Sequence, residues 1–291
     1  MNTQNHRKTI HLLNCEILNH QHFNGDQHLL RLHAPEIAIK AKAGSFVHVT
    51  TDPALPLRRP ISIMRVSLKE GWIDLLYKVF GEGTRRLSKR NIGEKLSVMG
   101  PIGNQFETHI ERPRTLMIGG GVGMPPMIFL SEQIRQMEGI FKPFVILGSE
   151  VPFPFNAQPS RLLIPSIPTD VIATMPLLED WGIPCRLAST QGFPGVYNGY
   201  VTDLARVWLS SLSADQLKEV EIFSCGPHPM LAAVAEVARE YNVPCQVSME
   251  EFMACGVGGC AGCVVEVNTK KGPAMKRVCV DGPVFDAQQV F

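Results

Sequence analysis

The chain has 291 residues, roughly twice the ~150-residue prior for one domain, so we expect two or more domains that fold without disulfide staples. Lys and Arg number 28 against 27 Asp and Glu, and the resulting charge of +1 gives no basic surplus for binding nucleic-acid phosphates. No apolar run reaches the ~18 residues of a membrane span, and the first ten positions lack a signal-peptide pattern, so we expect a cytoplasmic protein without a membrane span.

Short apolar runs separated by turn signals fill the first hundred residues, at 46–49, 61–66, 72–79 and 95–98. Alternation of this kind predicts a small antiparallel β-barrel. Six of the nine histidines fall within residues 6–33, and none has a cysteine partner at metal-ligand spacing. We therefore expect these histidines to be polar surface positions.

The pattern changes after residue 113 to strands that alternate with glycine turns and helices. Residues 115–118, 144–147 and 221–224 are predicted strands. Residues 126–137 and 228–241 are predicted helices, and the first has an apolar face formed by Met127, Leu130, Ile134 and Met137. This alternation predicts a parallel sheet covered by helices. Five prolines within residues 151–168 predict a long loop or an insertion there, to which we assign no chemistry.

Four of the eight cysteines are concentrated near the end of the chain, in the pattern Cys255-x4-Cys260-x2-Cys263 followed by Cys279. This spacing matches plant-type [2Fe–2S] proteins, in which one tight loop supplies three thiolates and a separate strand supplies the fourth. Intervening glycines let the loop fold closely and direct N–H groups at sulfur. A structural zinc site with four Cys ligands is the alternative. For most of the other cysteines, at 15, 185, 225 and 245, we expect plain burial.

Two glycine turns follow predicted strands. The first contains Gly119, Gly120, Gly121 and Gly123, and a pyrophosphate can sit there at the N-terminus of the next helix. It departs from G-x-G-x-x-G because Pro126 occupies the last position, so a tight strand-to-helix turn is the alternative. The second turn contains Cys225 and Gly226 at the carboxyl end of a strand, where open α/β sheets bind ligands. A helix start beside a buried cysteine explains it equally well.

A third feature combines Arg58-Arg59-Pro60-Ile61-Ser62 with Tyr77-Lys78 and Gly83-Thr84 about twenty residues later. An arginine fork suits a diphosphate, and Ser62 and the N–H groups of Gly83 and Thr84 can donate to the same cofactor. Alternatively, Arg58 and Arg59 are solvated charges on an edge strand.

Together and in this order, these features resemble the ferredoxin–NADP reductase-like flavoproteins. Within them the chain closely resembles the electron-transfer subunits of two-subunit, NAD-linked dihydroorotate dehydrogenases. The most specific matching segments are Arg59–Ser62, Gly119–Pro126, Cys225–Pro227, Met253–Cys263 and Cys279–Phe285. The resemblance implies an FAD-binding β-barrel (1–110), an NAD-binding α/β domain (111–243) and a small [2Fe–2S] module (244–291).

The resemblance also implies residue roles. FAD would be bound by Arg59, Pro60, Ile61, Ser62, Leu76, Tyr77, Lys78, Gly83 and Thr84. The dinucleotide would lie on Gly119, Gly120, Gly121 and Gly123, with Cys225 and Gly226 near the nicotinamide, and the cluster ligands would be Cys255, Cys260, Cys263 and Cys279. Residues 188–192 lack the acidic pair that relatives often carry, and residues 151–168 differ from the usual helix-rich connection.

The implied function is an electron relay in pyrimidine biosynthesis between NAD, the chain's FAD and [2Fe–2S] cluster, and the FMN of a partner dihydroorotate dehydrogenase catalytic subunit in a hetero-oligomer. No catalytic acid or base is expected on this chain, because hydride and electron transfer require none here. Glu150 would repel a 2′-phosphate, which favours NAD over NADP. The alternatives are a related subunit serving a hydrogenase, sulfite reductase or ferredoxin, or a zinc-stabilised, non-catalytic redox or binding module.

Overall fold

The structure is a computed structural model that describes residues 9–137 and 139–291. Residues 1–8 of the predicted FAD domain lie outside the described residues. In the two described ranges, no helix combines the length and apolar character that crossing a bilayer requires.

Residues 11–102 form a closed six-stranded barrel with the strand order β1-β2-β5-β4-β3-β6. Its strands are β1 (His11–Phe23), β2 (Gln27–His33), β3 (Phe46–Val49), β4 (Arg59–Ser67), β5 (Trp72–Lys78) and β6 (Lys95–Ile102). Neighbouring strands are antiparallel throughout. Alternate side chains such as Ile73 and Leu75 are fully buried, as the period of two in a barrel strand requires. The predicted barrel is confirmed.

Two short helices that the sequence analysis did not predict accompany the barrel, α1 (Pro35–Lys40) and α2 (Glu82–Leu87). Helix α2 places Leu87, which is fully buried, in the barrel core. The first turn of α2 contains Gly83 and Thr84, so these two residues, which are predicted to bind the diphosphate, lie at a helix N-terminus.

The second half of the chain builds a seven-stranded sheet with the order β12-β11-β8-β7-β13-β14-β17. Its strands are β7 (Arg114–Gly120), β8 (Phe144–Gly148), β11 (Cys185–Ser189), β12 (Tyr197–Asn198), β13 (Val220–Cys225), β14 (Cys245–Ser248) and β17 (Val284–Asp286). All neighbours are parallel except β14 and β17. The connecting helices are α3 (Met124–Arg135), α4 (Pro176–Asp180), α5 (Val201–Ser210), α6 (Ala214–Lys218) and α7 (His228–Glu240). The predicted helix-covered, mainly parallel sheet is confirmed.

The C-terminal segment contains a separate hairpin of β15 (Val264–Thr269) and β16 (Gly272–Arg277), followed by α8 (Ala287–Val290). Two strands from beyond residue 243 nevertheless lie in the large sheet, because β14 pairs with β13 and β17 pairs with β14. The cluster hairpin is thus flanked by strands of the neighbouring sheet, and the two domain boundaries stay predictions.

The predicted apolar face of α3 is correct except at its last residue. Met127, Leu130 and Ile134 are buried as predicted. The helix ends at Arg135, so Met137 lies beyond it and is exposed, and its prediction as part of this face was wrong. Residues 151–168 are mainly irregular, and their one short strand, β9 (Gln158–Pro159), pairs with β10 (Ala173–Thr174).

The barrel and the large sheet pack against each other through α3. Arg65 of β4 pairs with the buried Glu132 of α3 at 3.1 Å, and its guanidinium lies 5.2 Å from the ring centroid of Trp181. The proline-rich segment adds a second bridge, since Gln27 Nε2 donates to the carbonyl of Pro152 at 2.7 Å. These contacts join the barrel to the half of the chain that forms the large sheet at two separate points.

Candidate electron-transfer site

The four candidate cluster cysteines lie in a loop and at the end of the β15–β16 hairpin. Cys255 and Cys260 occupy the loop, and Cys263 directly precedes β15. The amide of Val278 donates to the carbonyl of Cys263 at 2.9 Å, and this bond brings the adjacent Cys279 to the loop. The fourth candidate ligand, Cys279, lies in the turn that follows β16, and its role as a ligand stays a prediction.

The four thiols lie near one another. Cys255 interacts with the side chain of Cys260, and Cys279 interacts with Cys263 and Cys255. A [2Fe–2S] cluster needs four thiolates, three of which come from one loop in plant-type proteins. A structural zinc site with four Cys ligands is normally built from two separated Cys pairs. The spacing, with three candidate ligands in one loop, favours the cluster over the zinc alternative.

Backbone amides of the loop point at its sulfurs. Val257 N donates to Cys255 Sγ and Gly262 N to Cys260 Sγ, each at 3.4 Å. Burial opposes ionisation of Cys255, but hydrogen bonds led by the Val257 amide outweigh it and lower the pKa of this thiol to about 7. Such donors stabilise negative charge on sulfur, which is what a cluster ligand carries.

The cluster loop packs directly on the barrel. A Cβ added to Gly256, which has φ +67°, would stand 2.8 Å from Nδ1 of His48 on β3. His48 is fully buried, and burial, followed by the charge of Arg58, lowers its pKa to about 4. His48 was not predicted as a site residue, although its position between the core residues Val47 and Val49 indicated a polar side chain on the opposite face of the strand.

The predicted diphosphate residues meet in space despite their separation in sequence. The guanidinium of Arg59 lies over Gly83, where an added Cβ would stand 2.6 Å from Arg59 Cζ. Thr84 Oγ1 accepts from the amides of Phe80 at 2.9 Å and Gly81 at 3.2 Å, which fixes the first turn of α2. No carboxylate of the described residues forms an ion pair with Arg59. Its charge is therefore available to an anion beside this helix terminus.

The remaining predicted flavin residues range from buried to exposed. On β4, Ile61 is buried, Pro60 is exposed and Ser62 is half-buried. On β5, Leu76 and Tyr77 are buried and Lys78 is exposed. The ring of Tyr77 stacks on His28, and its hydroxyl lies 2.8 Å from His20 Nε2. The Tyr77 side chain is thus engaged with histidines of β1 and β2.

The two predicted dinucleotide turns lie side by side, because β7 and β13 are neighbours with Gly119 opposite Cys225. Gly119 and Gly120 end β7, and Gly121–Gly123 form a 3-10 turn before α3. A Cβ on Gly123 would stand 2.5 Å from the amide nitrogen of Gly226, so the backbones of the two turns are in contact. Cys225 is fully buried, and burial raises the pKa of its thiol. Both turns open at the carboxyl edge of the sheet, where such folds bind ligands.

Comparison with known proteins places this geometry in a family. Residues 250–291 match the family model described as the iron-sulfur cluster binding domain of dihydroorotate dehydrogenase B. The dihydroorotate dehydrogenase B (NAD(+)) electron transfer subunit of Caldanaerobacter subterraneus subsp. tengcongensis is 34% identical over 253 residues, covering 87% of this chain and 88% of that protein. The subunit of the same name from Geobacillus kaustophilus is 34% identical over 255 residues, covering 85% and 86%.

The chain belongs to the family of dihydroorotate dehydrogenase B electron transfer subunits. This confirms the family resemblance drawn from the sequence. The cluster-domain match covers all four candidate cysteines, as expected for an iron–sulfur module.

Solved structures confirm the fold class. A chain of the NADH-dependent reduced ferredoxin-NADP oxidoreductase superposes with a TM-score of 0.73 at 24% identity, covering 96% of this chain and 90% of that one. The ferredoxin reductase in carbazole 1,9a-dioxygenase gives 0.62 at 19% identity, covering 81% and 67%. At these identities the likeness establishes the barrel, sheet and their arrangement. The roles of individual site residues stay predictions.

Proposed function

We propose that this chain is the electron relay of a dihydroorotate-oxidising enzyme and connects a partner catalytic subunit with NAD+. The net reaction removes two electrons and two protons from dihydroorotate, which gives orotate, and reduces NAD+ to NADH with release of one proton. When bound, FAD would exchange hydride with the nicotinamide and single electrons with the [2Fe–2S] cluster. The partner subunit, carrying FMN, would hold the dihydroorotate.

One observation supports the relay most strongly, namely the contact between the cluster loop and the flavin barrel at Gly256 and His48. The loop that carries Cys255 and Cys260 rests on β3, and β3 pairs with β4, which carries Arg59. A cluster held by the cysteines and a flavin held by Arg59, Gly83 and Thr84 would therefore belong to one packed unit.

The residues of this chain bind and orient, and none is needed as a proton donor or acceptor. Arg59 and the α2 terminus would hold the FAD diphosphate, and the turns at Gly119–Gly123 and at Cys225 would hold the dinucleotide. Glu150 follows β8, the neighbour of β7, and is exposed. A carboxylate there supports NAD, because it repels the 2′-phosphate of NADP and can accept from a ribose hydroxyl.

The proposed setting is the cytoplasm. All eight cysteines are free thiols, and the four outside the cluster set, at 15, 185, 225 and 245, are buried. Free buried thiols suit a reducing compartment.

Purification of the native complex tests the proposal. We expect a stoichiometric partner that contains FMN and oxidises dihydroorotate, with transfer to NAD+ only when this chain is present. The matched control is the partner alone with an artificial electron acceptor, which should still oxidise dihydroorotate. A stable partner with hydrogenase or sulfite reductase activity, or a ferredoxin, would overturn the dihydroorotate assignment while leaving the relay intact.

A further inference from the structure

His48 on β3 is a buried polar residue at the contact between the barrel and the cluster loop. Its side chain is fully buried, and no group of the described residues forms a hydrogen bond of ordinary geometry with either ring nitrogen. An imidazole has a donor or an acceptor at each nitrogen, so leaving it unpaired in the interior is unfavourable. An apolar ring would fill the same space without this cost. The imidazole therefore requires a functional explanation.

The ring faces the residues next to the first candidate ligand. A Cβ on Gly256, the residue directly after Cys255, would stand 2.8 Å from His48 Nδ1. The carbonyl of Met253 also lies close to the ring, because it acts against the burial and the charge of Arg58 that lower the pKa of His48. The imidazole therefore lies against residues on both sides of Cys255.

The surroundings of this contact are otherwise apolar. The two other barrel atoms nearest to a Cβ on Gly256 are the terminal methyl groups of Met99 and Ile102 on β6, at 3.3 and 3.4 Å. In such a low-dielectric setting an N–H dipole acts strongly on a nearby charge. The reduction potential of an iron–sulfur cluster depends on hydrogen bonds, net charge and solvent exposure around it. An imidazole at the position of His48 is therefore placed to change that potential.

The backbone of His48 belongs to the strand beside the predicted flavin motif. In the pairing of β3 with β4, His48 lies opposite Pro60, and the next pair joins Val49 to Arg59. The carbonyl of His48 accepts from Arg58 Nη1 at 3.3 Å. His48 thus has its backbone on the flavin side of the contact and its ring on the cluster side.

We propose that His48 is a positioning residue of the electron path, whose buried imidazole N–H is directed at the Cys255 loop and makes the [2Fe–2S] cluster easier to reduce. This inference rests on the proposed relay, in which the four cysteines hold the cluster. A cluster becomes more negative when it takes up an electron, so a fixed N–H dipole stabilises its reduced form more than its oxidised form. The ring acts through its dipole, and no proton is transferred.

A redox titration of the FAD- and cluster-loaded complex with its native partner, followed by EPR of the reduced cluster, tests this proposal. His48→Phe keeps the volume of the ring and removes its nitrogens, and iron per chain should not change. At a fixed ambient potential we expect its ratio of reduced to oxidised cluster to fall about 10-fold, which for a one-electron couple is about 59 mV. His48→Asn keeps an amide N–H close to the position of Nδ1 and should titrate closer to the wild type.

His28→Phe is the matched control, because it makes the same substitution at another buried histidine of the barrel. The expectation of a surface position is wrong for His28, since the pairing of β2 with β5 places it opposite Tyr77 and the two rings stack. The other rings beside it are those of His20 and His22. The cluster potential of His28→Phe should therefore equal that of the wild type.

Pulsed EPR of the wild type with isotopically labelled histidine nitrogens supplies a readout that does not depend on the variants. We expect a weak coupling between the reduced cluster and an imidazole nitrogen. The proposal is overturned if this coupling is absent, if His48→Phe titrates like the wild type, or if His28→Phe or His48→Asn shifts the potential as far as His48→Phe does. Failure of the complex to oxidise dihydroorotate would instead contradict the proposed function, because the titration uses no substrate.

Discussion

Arg59 and Gly83 meet so closely that a Cβ at position 83 would stand 2.6 Å from the guanidinium carbon. Arg59 opens β4 and Gly83 lies in the first turn of α2, so the contact joins a barrel strand to a helix N-terminus. Because glycine has no side chain, the guanidinium can lie directly beside the N-terminus of α2. An anion bound there would be attracted both by the charge of Arg59 and by the helix N-terminus.

Arg59→Ala should weaken FAD binding by roughly 10- to 100-fold, because a hydrogen bond to a charged group contributes about 1.5–3 kcal/mol. FAD titration into the apoflavoprotein measures this loss, and iron content should not change. Arg85→Ala is the control, since Arg85 is exposed on α2 and forms an ion pair with Glu82 at 3.4 Å. Equal FAD affinity in all three proteins would show that Arg59 is a solvated surface charge.

Gly83→Ala should disturb the contact between Gly83 and Arg59 through a change at the glycine. The new methyl group displaces the guanidinium, so FAD binding weakens although no charge is lost. In the double variant with Arg59→Ala the methyl group has nothing to displace, and the second substitution should add little to the first. Fully additive losses would contradict the role given to this contact.

Cys279→Ser should remove or destabilise the cluster and leave the flavin in place, because Cys279 pairs with Cys263 while the FAD residues lie on the barrel. Iron and acid-labile sulfide assays measure the cluster, and flavin absorbance serves as the internal reference. Cys245→Ala is the matched control, since this buried thiol lies in β14 outside the set. Full iron content in Cys279→Ser would mean that the fourth ligand is another residue.

Gly256→Ala should reduce cluster retention through two effects. Its φ of +67° is a left-handed conformation that costs an L-residue about 1–2 kcal/mol, and its Cβ would stand 2.8 Å from His48 Nδ1. Adding His48→Ala relieves only the second effect, so the double variant should retain more iron than Gly256→Ala alone. If the double variant is no better, the loop does not rest on His48.

The pair of His109 and Glu221 predicts a pH dependence of stability. The hydrogen bond that His109 Nδ1 donates to the Glu221 carboxylate at 3.0 Å raises the pKa of His109 above its usual 6.5. A raised folded-state pKa contributes stability that is fully present below the unfolded value and disappears as the pH rises through the folded value. The difference in Tm between wild type and His109→Gln should therefore be largest below the usual value of 6.5 and shrink as the pH rises above it. A constant difference would show that the pair is not linked to protonation.

Much of the architecture could be predicted from local patterns. The strands at 46–49 and 144–147 were predicted within a residue because apolar runs between turn signals mark them directly. The end of α3 was missed because Met137 continues the helical spacing although the helix stops two residues earlier. The cysteine spacing predicted that a separate strand supplies the fourth thiol, and the β15–β16 hairpin returns the chain to the loop with Cys279 in the turn after β16.

What the sequence could not predict depends on contacts between distant segments. The register of β1 against β2 brings His22 opposite His28, and an irregularity between Ile17 and Asn19 sets that register. No local pattern predicts such a shift. Barrel closure likewise brings Arg59 to Gly83, and packing of the C-terminal loop on the barrel brings Gly256 to His48. Each segment alone was compatible with more than one role.

The central claim is that NADH, the flavin and the cluster form one electron path within this chain. An anaerobic visible spectrum of the protein purified with its native partner, recorded before and after addition of NADH, tests it most directly, with flavin, iron and sulfide assayed on the same sample. The account predicts that the flavin and cluster bands are both present and that both bleach. Zinc in place of iron, or flavin and cluster bands that stay oxidised with NADH, would contradict it.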